Sequence, residues 1–190
     1  MTLRMAAAPA IMTTIAGLAS GEGANLLHID EQQPGGADLA VVLSDDPAAP
    51  ILERAGARGI DTVALAGPQS TDPPEHERRL LQALEGYDVD LIVLDRYSPG
   101  LSETVLEAVP LTIDVYPSLL PAFPGPNPIE QALEAGVAVT GCTVHVVGNG
   151  DTAGTAASGS PRDDHGPIIT QEPVPVYEDD DVATLEQRVV

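Results

Sequence analysis

The chain lacks several features that would assign it to common protein classes. It contains no lysine and only one cysteine, Cys142, among 190 residues. A single cysteine excludes a disulfide framework, and its spacing from the four scattered histidines matches no metal site, so none is predicted. No apolar run is long enough to cross a membrane as a helix. Cys142 falls in the middle of a predicted strand with no base at motif distance and is interpreted as a small buried residue.

Positive charge is also scarce. Eight arginines are opposed by 29 acidic residues, which gives a formal net charge of −21. A field of this sign repels nucleic acid and anionic membranes, so neither is an expected partner. Two interpretations remain, a halophilic surface whose charges are screened by concentrated salt or an acidic surface that binds a basic protein. The acids are spread along the whole chain, which favours salt adaptation, and the dense run Glu178–Asp181 predicts a helix start.

Apolar residues are plentiful. They make up 43% of the chain, which is enough for one globular domain with a substantial core. Residues 1–10 lack the apolar segment and cleavage site of a signal peptide, so they are interpreted as an N-terminal extension. Residues 11–190 are predicted to form a single domain, and the expected compartment is the cytoplasm.

Short apolar runs alternate with helical patterns along the chain. This alternation predicts an α/β fold with a doubly wound, mostly parallel sheet and right-handed crossovers. Ligands bind such sheets outside the carboxyl ends of the strands. The predicted strands are 11–18, 39–44, 61–65, 91–94, 111–115, 139–147 and a final one within 166–176. One predicted helix follows the first glycine loop, and a second runs from a cap at Asp45–Pro47 to about Gly59. Further predicted helices cover 75–84, 101–109, 128–136 and 180–190.

Two loops of this pattern are candidate ligand sites. The stretch Ile113–Gly125 leads from a strand into a stiff, apolar-walled loop with three prolines, although prolines also simply end strands. The stretch Ser20–Asn25 joins a strand to a helix through glycines, an arrangement that offers backbone N–H groups to an anion. A tight turn that needs positive φ explains these glycines equally well. A dinucleotide fingerprint is excluded, because its third glycine would fall on Leu26.

The same loops carry a family resemblance. Pro117–Pro121 and Phe123–Gly125 match the Pro-Ser-Leu-Leu-Pro and aromatic-Pro-Gly segments of glycinamide ribonucleotide formyltransferases. Gly21, Gly23 and Asn25 match the Ser-Gly-x-Gly-Ser-Asn loop with which that family opens. Further matching segments in the second half of the sequence extend the resemblance over most of the chain. The chain therefore resembles this purine-synthesis family.

The resemblance implies a formyltransferase, Rossmann-like fold. It also implies formyl transfer from the co-substrate 10-formyltetrahydrofolate to glycinamide ribonucleotide, so small molecules are the expected partners. A cis peptide bond at Leu120-Pro121 is expected from the family's loop. The family's final helix is longer, so the helix that ends at Val190 is predicted to be truncated. The positions that correspond to the phosphate loop are Gly21, Gly23, Ala24 and Asn25, and those near the folate are Tyr97, Ser98, Leu101 and Val147.

The family's catalytic residues are only partly retained. Its aspartate corresponds to Asp164, whereas its asparagine falls on Asp114 and its histidine on Tyr116. An ionised carboxylate donates no hydrogen bond, and a tyrosine with a pKa of about 10 is a poor proton shuttle near neutrality. His165, beside Asp164, is the candidate to take over proton transfer. His145 matches a histidine of the family and is interpreted as lining.

Two hypotheses about activity follow from these replacements. The first is a diverged formyltransferase that still turns over. The second is a catalytically inactive protein of the same fold that acts as a binding or regulatory partner. Asp114 and Tyr116 are the residues that distinguish the two hypotheses.

Glu22 adds a negative charge to the glycine loop, which weakens phosphate binding unless its side chain points away.

Overall fold

The computed structural model describes residues 12–65, 73–147 and 166–189. Within these ranges strands and helices alternate along most of the chain, as the apolar pattern predicts. The strands are β1 (Thr14–Ala19), β2 (Asp38–Ser44), β3 (Asp61–Ala64), β4 (Leu91–Asp95), β5 (Leu111–Tyr116), β6 (Val139–Val146) and β7 (Ile168–Pro175). The helices are α1 (Ala24–Gln32), α2 (Pro50–Gly56), α3 (Pro73–Leu84), α4 (Glu103–Ala108), α5 (Pro128–Glu134) and α6 (Val182–Val189).

The strands form one sheet with the order β3-β2-β1-β4-β5-β6-β7. Strands β1 to β5 are parallel to one another, β6 is antiparallel to β5, and β7 is antiparallel to β6. The strand order reverses between β1 and β4, which is the topological switch point where open α/β sheets bind ligands. The predicted doubly wound, mostly parallel fold is confirmed.

Helices cover both faces of the sheet. One core cluster, called here the α3/α4 cluster, joins β1, β2 and β4 to α3 and α4, and a second cluster joins the opposite face to α1 and α2. Full burial of each large aliphatic side chain contributes about 1.5–3 kcal/mol. The α3/α4 cluster includes Leu18, Leu43, Leu80, Ile92, Leu94, Val105 and Val147. A third cluster holds α5 and α6 against β6 and β7, and the partly buried Cys142 packs against it.

Most predicted elements are present, with boundaries that differ by a few residues, as at the start of the second helix. The second helix begins at Pro50 and not directly after the predicted cap Asp45–Pro47. Asp46 accepts from the backbone N–H groups of Ala48 and Ala49 and so forms a turn before the helix. Pro50 occupies the first turn, where its fixed φ is favourable and its missing N–H costs nothing.

Three further expectations are confirmed, two from local sequence signals and one, the cis peptide bond, from the family resemblance. Asp181 caps α6: its carboxylate accepts from the Thr184 N–H at 2.8 Å, and its own N–H donates to the Thr184 hydroxyl. Gly136, with φ of 63°, follows the end of α5 as predicted. The Leu120-Pro121 peptide bond is cis. No helix among the described residues is long and apolar enough to cross a membrane.

Candidate active site

Asp114 and His145 lie directly opposite each other on the antiparallel strands β5 and β6. The Nε2 atom of His145 is 3.5 Å from the Oδ2 atom of Asp114. Asp114 is 7% exposed and His145 is 3% exposed, so this is a buried pair of ionisable groups. The register of two strands thus joins Asp114 to a histidine that was interpreted only as lining.

The pair continues a row of apolar residues across the sheet. Leu43, Leu18 and Leu94 are successive register partners on β2, β1 and β4, and Asp114 and His145 extend the row on β5 and β6. The three leucines belong to the α3/α4 cluster. This ionisable pair therefore has apolar neighbours on one side, where electrostatic interactions are stronger than in water.

The hydroxyl of Tyr116 is committed to the proline loop. It donates to the carbonyl oxygens of Gly125 at 2.5 Å and Phe123 at 3.2 Å. Burial and the nearby charge of Asp114 raise the pKa of Tyr116 to about 12. Tyr116 therefore stays protonated near neutrality and braces the loop at the carboxyl end of β5.

The proline loop is anchored to the neighbouring strands. The buried hydroxyl of Thr143 donates to the Ser118 carbonyl at 2.7 Å and accepts from the Leu120 N–H at 3.0 Å. The Gln171 side-chain amide donates to the Leu120 carbonyl and to the Thr143 hydroxyl, both at 2.9 Å. Side chains from β6 and β7 thus satisfy backbone groups that the prolines leave without strand partners.

The glycine loop leads into α1 through a left-handed residue. Gly23 has φ of 60° and ψ of 40°, and a Cβ atom at this position would lie 2.5 Å from the Ile51 side chain. Glycine is therefore required here both by backbone conformation and by space. Among the described residues, nothing accepts a hydrogen bond from the N–H groups of Gly23 and Ala24. These two donors are at the positive end of the helix.

Asn25, the last of the four predicted phosphate contacts, already has an acidic partner. Its backbone N–H donates to Asp95 Oδ2 at 3.0 Å, and its side-chain amide donates to Asp95 Oδ1 at 3.1 Å. Asp95 is the last residue of β4 and is 2% exposed. Sequence reasoning missed Asp95. The signal was a carboxylate at the end of a buried strand, but recognising it requires the strand order.

Two further contacts organise the glycine loop. The Ser20 hydroxyl donates to Asp45 Oδ1 and accepts from the Ser98 N–H at 2.7 Å, which links the ends of β1, β2 and β4. The Glu22 carboxylate pairs with Arg54 of α2 at 2.8 Å, and both side chains are exposed. Glu22 thus points towards α2.

Three of the four predicted folate residues are buried. Tyr97, Leu101 and Val147 belong to the α3/α4 cluster, whereas Ser98 is exposed. The Tyr97 hydroxyl lies 2.7 Å from the Nε2 atom of His76, and burial together with Asp45 raises the pKa of Tyr97. His76 was not predicted as a site residue. Its signal is its place on the apolar stripe of α3.

A groove of about 210 Å³ lies between α4 and the sheet. It follows β5 and β6, the strands that also carry Asp114 and His145. Val147 is the one predicted folate residue in its lining. The lining residues are Leu106, Val109, Pro110, Leu111, Thr112, Val146 and Val147.

Asp164 and His165, the other two predicted catalytic residues, lie outside the described residues. Their place relative to Asp114 and Tyr116 therefore stays a prediction. Within residues 12–65, 73–147 and 166–189, no group of three potential ligands is arranged to hold a metal ion.

Comparison with known proteins decides the family. The family model described as formyl transferase matches residues 13–190. The chain belongs to the formyl transferase family. Within this family it is similar to the phosphoribosylglycinamide formyltransferase of Bacillus subtilis, at 35% identity over 182 residues, which are 94% of this chain and 87% of the relative.

Solved structures of the family have the same fold. Glycinamide ribonucleotide transformylase 1 from Symbiobacterium toebii is 38% identical and matches with a TM-score of 0.79 over 94% of this chain and 80% of that chain. Phosphoribosylglycinamide formyltransferase from Bacillus halodurans is 36% identical and matches with a TM-score of 0.78 over 93% of this chain and 87% of that chain. The family resemblance in the sequence is confirmed.

Proposed function

We propose that this formyl transferase family member is a phosphoribosylglycinamide formyltransferase that acts in purine biosynthesis. It would transfer the formyl group of 10-formyltetrahydrofolate, its co-substrate, to the amine of glycinamide ribonucleotide. Relatives and solved structures of that name support the assignment. In the structure, the observation that carries it is the groove beside α4, which runs along the same two strands as the Asp114–His145 pair.

The groove suits a flat ring system. Leu106, Val109 and Val147 provide apolar walls for such a ring. Thr112 and Asp114 are two residues apart on β5 and therefore lie on the same face of the sheet. The Val147 N–H donates to the Thr112 carbonyl at 2.9 Å. Two residues along a strand span about 6–7 Å. A folate ring in the groove would therefore place its formyl-bearing arm near Asp114.

The phosphate of the acceptor would bind at the other loop. Gly21, Gly23, Ala24 and Asn25 are the proposed contacts, and the N–H groups of Gly23 and Ala24 are the donors that no described residue uses. The positive end of α1 favours an anion there. Because Asp95 holds both donors of Asn25, the proposed binding rests mainly on the first two N–H groups.

The chemistry requires a proton to move. The amine attacks the formyl carbon, a tetrahedral oxyanion forms, and the bond to the folate nitrogen breaks. The amine loses one proton and the folate nitrogen gains one, so the reaction needs a donor at the oxyanion and a group that exchanges protons. The proposed groups are Asp114, Tyr116, Asp164 and His165, of which Tyr116 serves by bracing the loop.

The composition completes the proposal. A net charge of −21 fits a cytoplasmic, halophilic enzyme whose acidic surface is screened by concentrated salt. Its partners would be small molecules. Since both proposed substrates are anionic, screening would also reduce their repulsion by the protein.

The test is a formyl-transfer assay in concentrated potassium chloride. Release of tetrahydrofolate from the formyl donor is expected only when glycinamide ribonucleotide is added, and Asp164→Asn is expected to abolish it. A folded protein without turnover would contradict the proposal. If Asp114→Asn with Tyr116→His then created turnover, the inactive binding partner would be the correct hypothesis.

A further inference from the structure

The described residues at the carboxyl end of β5 include three groups that bear on proton transfer: Asp114, Tyr116 and His145. The Tyr116 hydroxyl already donates to two loop carbonyls. Asp114 is acceptor-only when ionised, so it opposes an oxyanion instead of stabilising it. His145 has the only imidazole within this group and is in contact with the Asp114 carboxylate.

The surroundings of the His145 ring favour an extra proton on this pair. The Nε2 atom lies 3.5 Å from the carboxylate of Asp114, and the Nδ1 atom lies 3.2 Å from the carbonyl oxygen of Val146. Carboxylate and carbonyl oxygens both accept hydrogen bonds, so each ring nitrogen faces an acceptor. A neutral imidazole has only one N–H and leaves one of these two acceptors facing a lone pair.

We propose that His145 and Asp114 share one proton and that this proton supplies the hydrogen-bond donor that an ionised Asp114 lacks. His145 is a positioning residue that acts through Asp114. When the proton moves from His145 Nε2 to Asp114, the carboxylic acid donates to the oxyanion, in the place where the family has an amide. The inference rests on the proposed function. It identifies His145 as the group that allows formyl transfer although Asp114 stands where the family has an asparagine.

The proton balance closes without another reactant. The shared proton passes from Asp114 towards the breaking bond and is taken by the folate nitrogen as that bond breaks. The attacking amine releases one proton, which returns to the pair and restores the starting state. Low exposure on both residues limits exchange with water, and the apolar row beside them strengthens the interaction.

A double-mutant cycle separates this role from a merely structural one. An asparagine amide has its own donor, so the variant Asp114→Asn has no need of a shared proton. We expect His145→Gln to lower kcat about a hundredfold in the wild-type chain, the effect of losing one oxyanion donor. In the Asp114→Asn background the same substitution is expected to cost less than about threefold. Equal losses in both backgrounds would overturn the proposal.

A control and a second measurement keep the outcome clear. His28 is exposed on α1, and His28→Gln is the matched control, expected to leave kcat unchanged.

The ¹⁵N NMR signals of the histidine rings report the shared proton without turnover, and the His145 signals are assigned by their loss in His145→Gln. Asp114→Asn is expected to move the His145 Nε2 signal towards that of an unprotonated nitrogen. This expectation holds whether or not formyl transfer is detected. An unmoved signal would overturn the shared proton, whereas absent turnover alone would overturn only the proposed function.

Discussion

Asp95 holds Asn25 by both of its donor groups, the backbone N–H at 3.0 Å and the side-chain amide at 3.1 Å. The bond joins the end of β4 to the first turn of α1, where the helix presents its positive end. A buried carboxylate thus occupies one of the positions at which the proposed phosphate would be bound. Its charge also repels a phosphate at the neighbouring donors.

We expect Asp95→Ala to tighten the binding of inorganic phosphate. The substitution frees the donors of Asn25 and removes a like charge, and a gain of about 1.4 kcal/mol corresponds to a tenfold lower Kd. Calorimetric titration at constant ionic strength measures this Kd. The control is Asp90→Ala, because Asp90 accepts from the Thr14 N–H at 2.9 Å at the amino ends of β1 and β4, opposite the glycine loop. An unchanged Kd in Asp95→Ala would contradict this prediction.

Tyr116→Phe is expected to lower stability in a pH-dependent way. The pKa of Tyr116 is raised to about 12 by burial and by Asp114, so the folded chain holds the phenolic proton more tightly than the unfolded chain, whose value is about 10. This contribution is fully present below pH 10 and is lost as the pH rises towards 12. Denaturant unfolding of both proteins across this range measures it. A difference in stability that stays constant from pH 9 to pH 12 would refute the linkage.

Thr143→Val is expected to destabilise the fold by about 1–3 kcal/mol. The substitution keeps the side-chain shape but removes the hydroxyl that binds Ser118 and Leu120, so buried backbone groups lose their partner. Urea unfolding gives the change in free energy. Thr170→Val, on the exposed strand β7, is the control and is expected to change it by less than about 0.5 kcal/mol. A similar loss in both variants would argue against the anchoring role.

Asp180 is expected to stabilise α6 except in acid. The hydrogen bond from Arg188, followed by the Tyr177 N–H, lowers the pKa of Asp180 to about 2 from an ordinary value of 3.8. Its contribution is therefore present above pH 4 and is lost as the pH falls towards 2. Thermal unfolding of wild type and Asp180→Asn at several pH values checks this, with the exposed Asp179→Asn as control. Identical pH profiles for wild type and Asp180→Asn would count against it.

Much of this protein follows from local sequence signals. The alternation of apolar runs with helical patterns determined the α/β class, because burial on both faces of a parallel sheet requires such runs. Gly136 and Asp181 marked helix ends, because capping depends on residues close together in the chain. The amino-acid sequence of Pro117–Gly125 was specific enough to indicate the family.

Only the tertiary structure decided which side chains of the site are in contact with one another. His145 meets Asp114 because two antiparallel strands pair in one register, and a shift of one strand by one residue would place the two side chains on opposite faces of the sheet. Asp95 meets Asn25 because β4 lies beside β1 in the sheet order. Such contacts between distant residues depend on register and strand order, which arise from packing of the whole core and not from any local pattern.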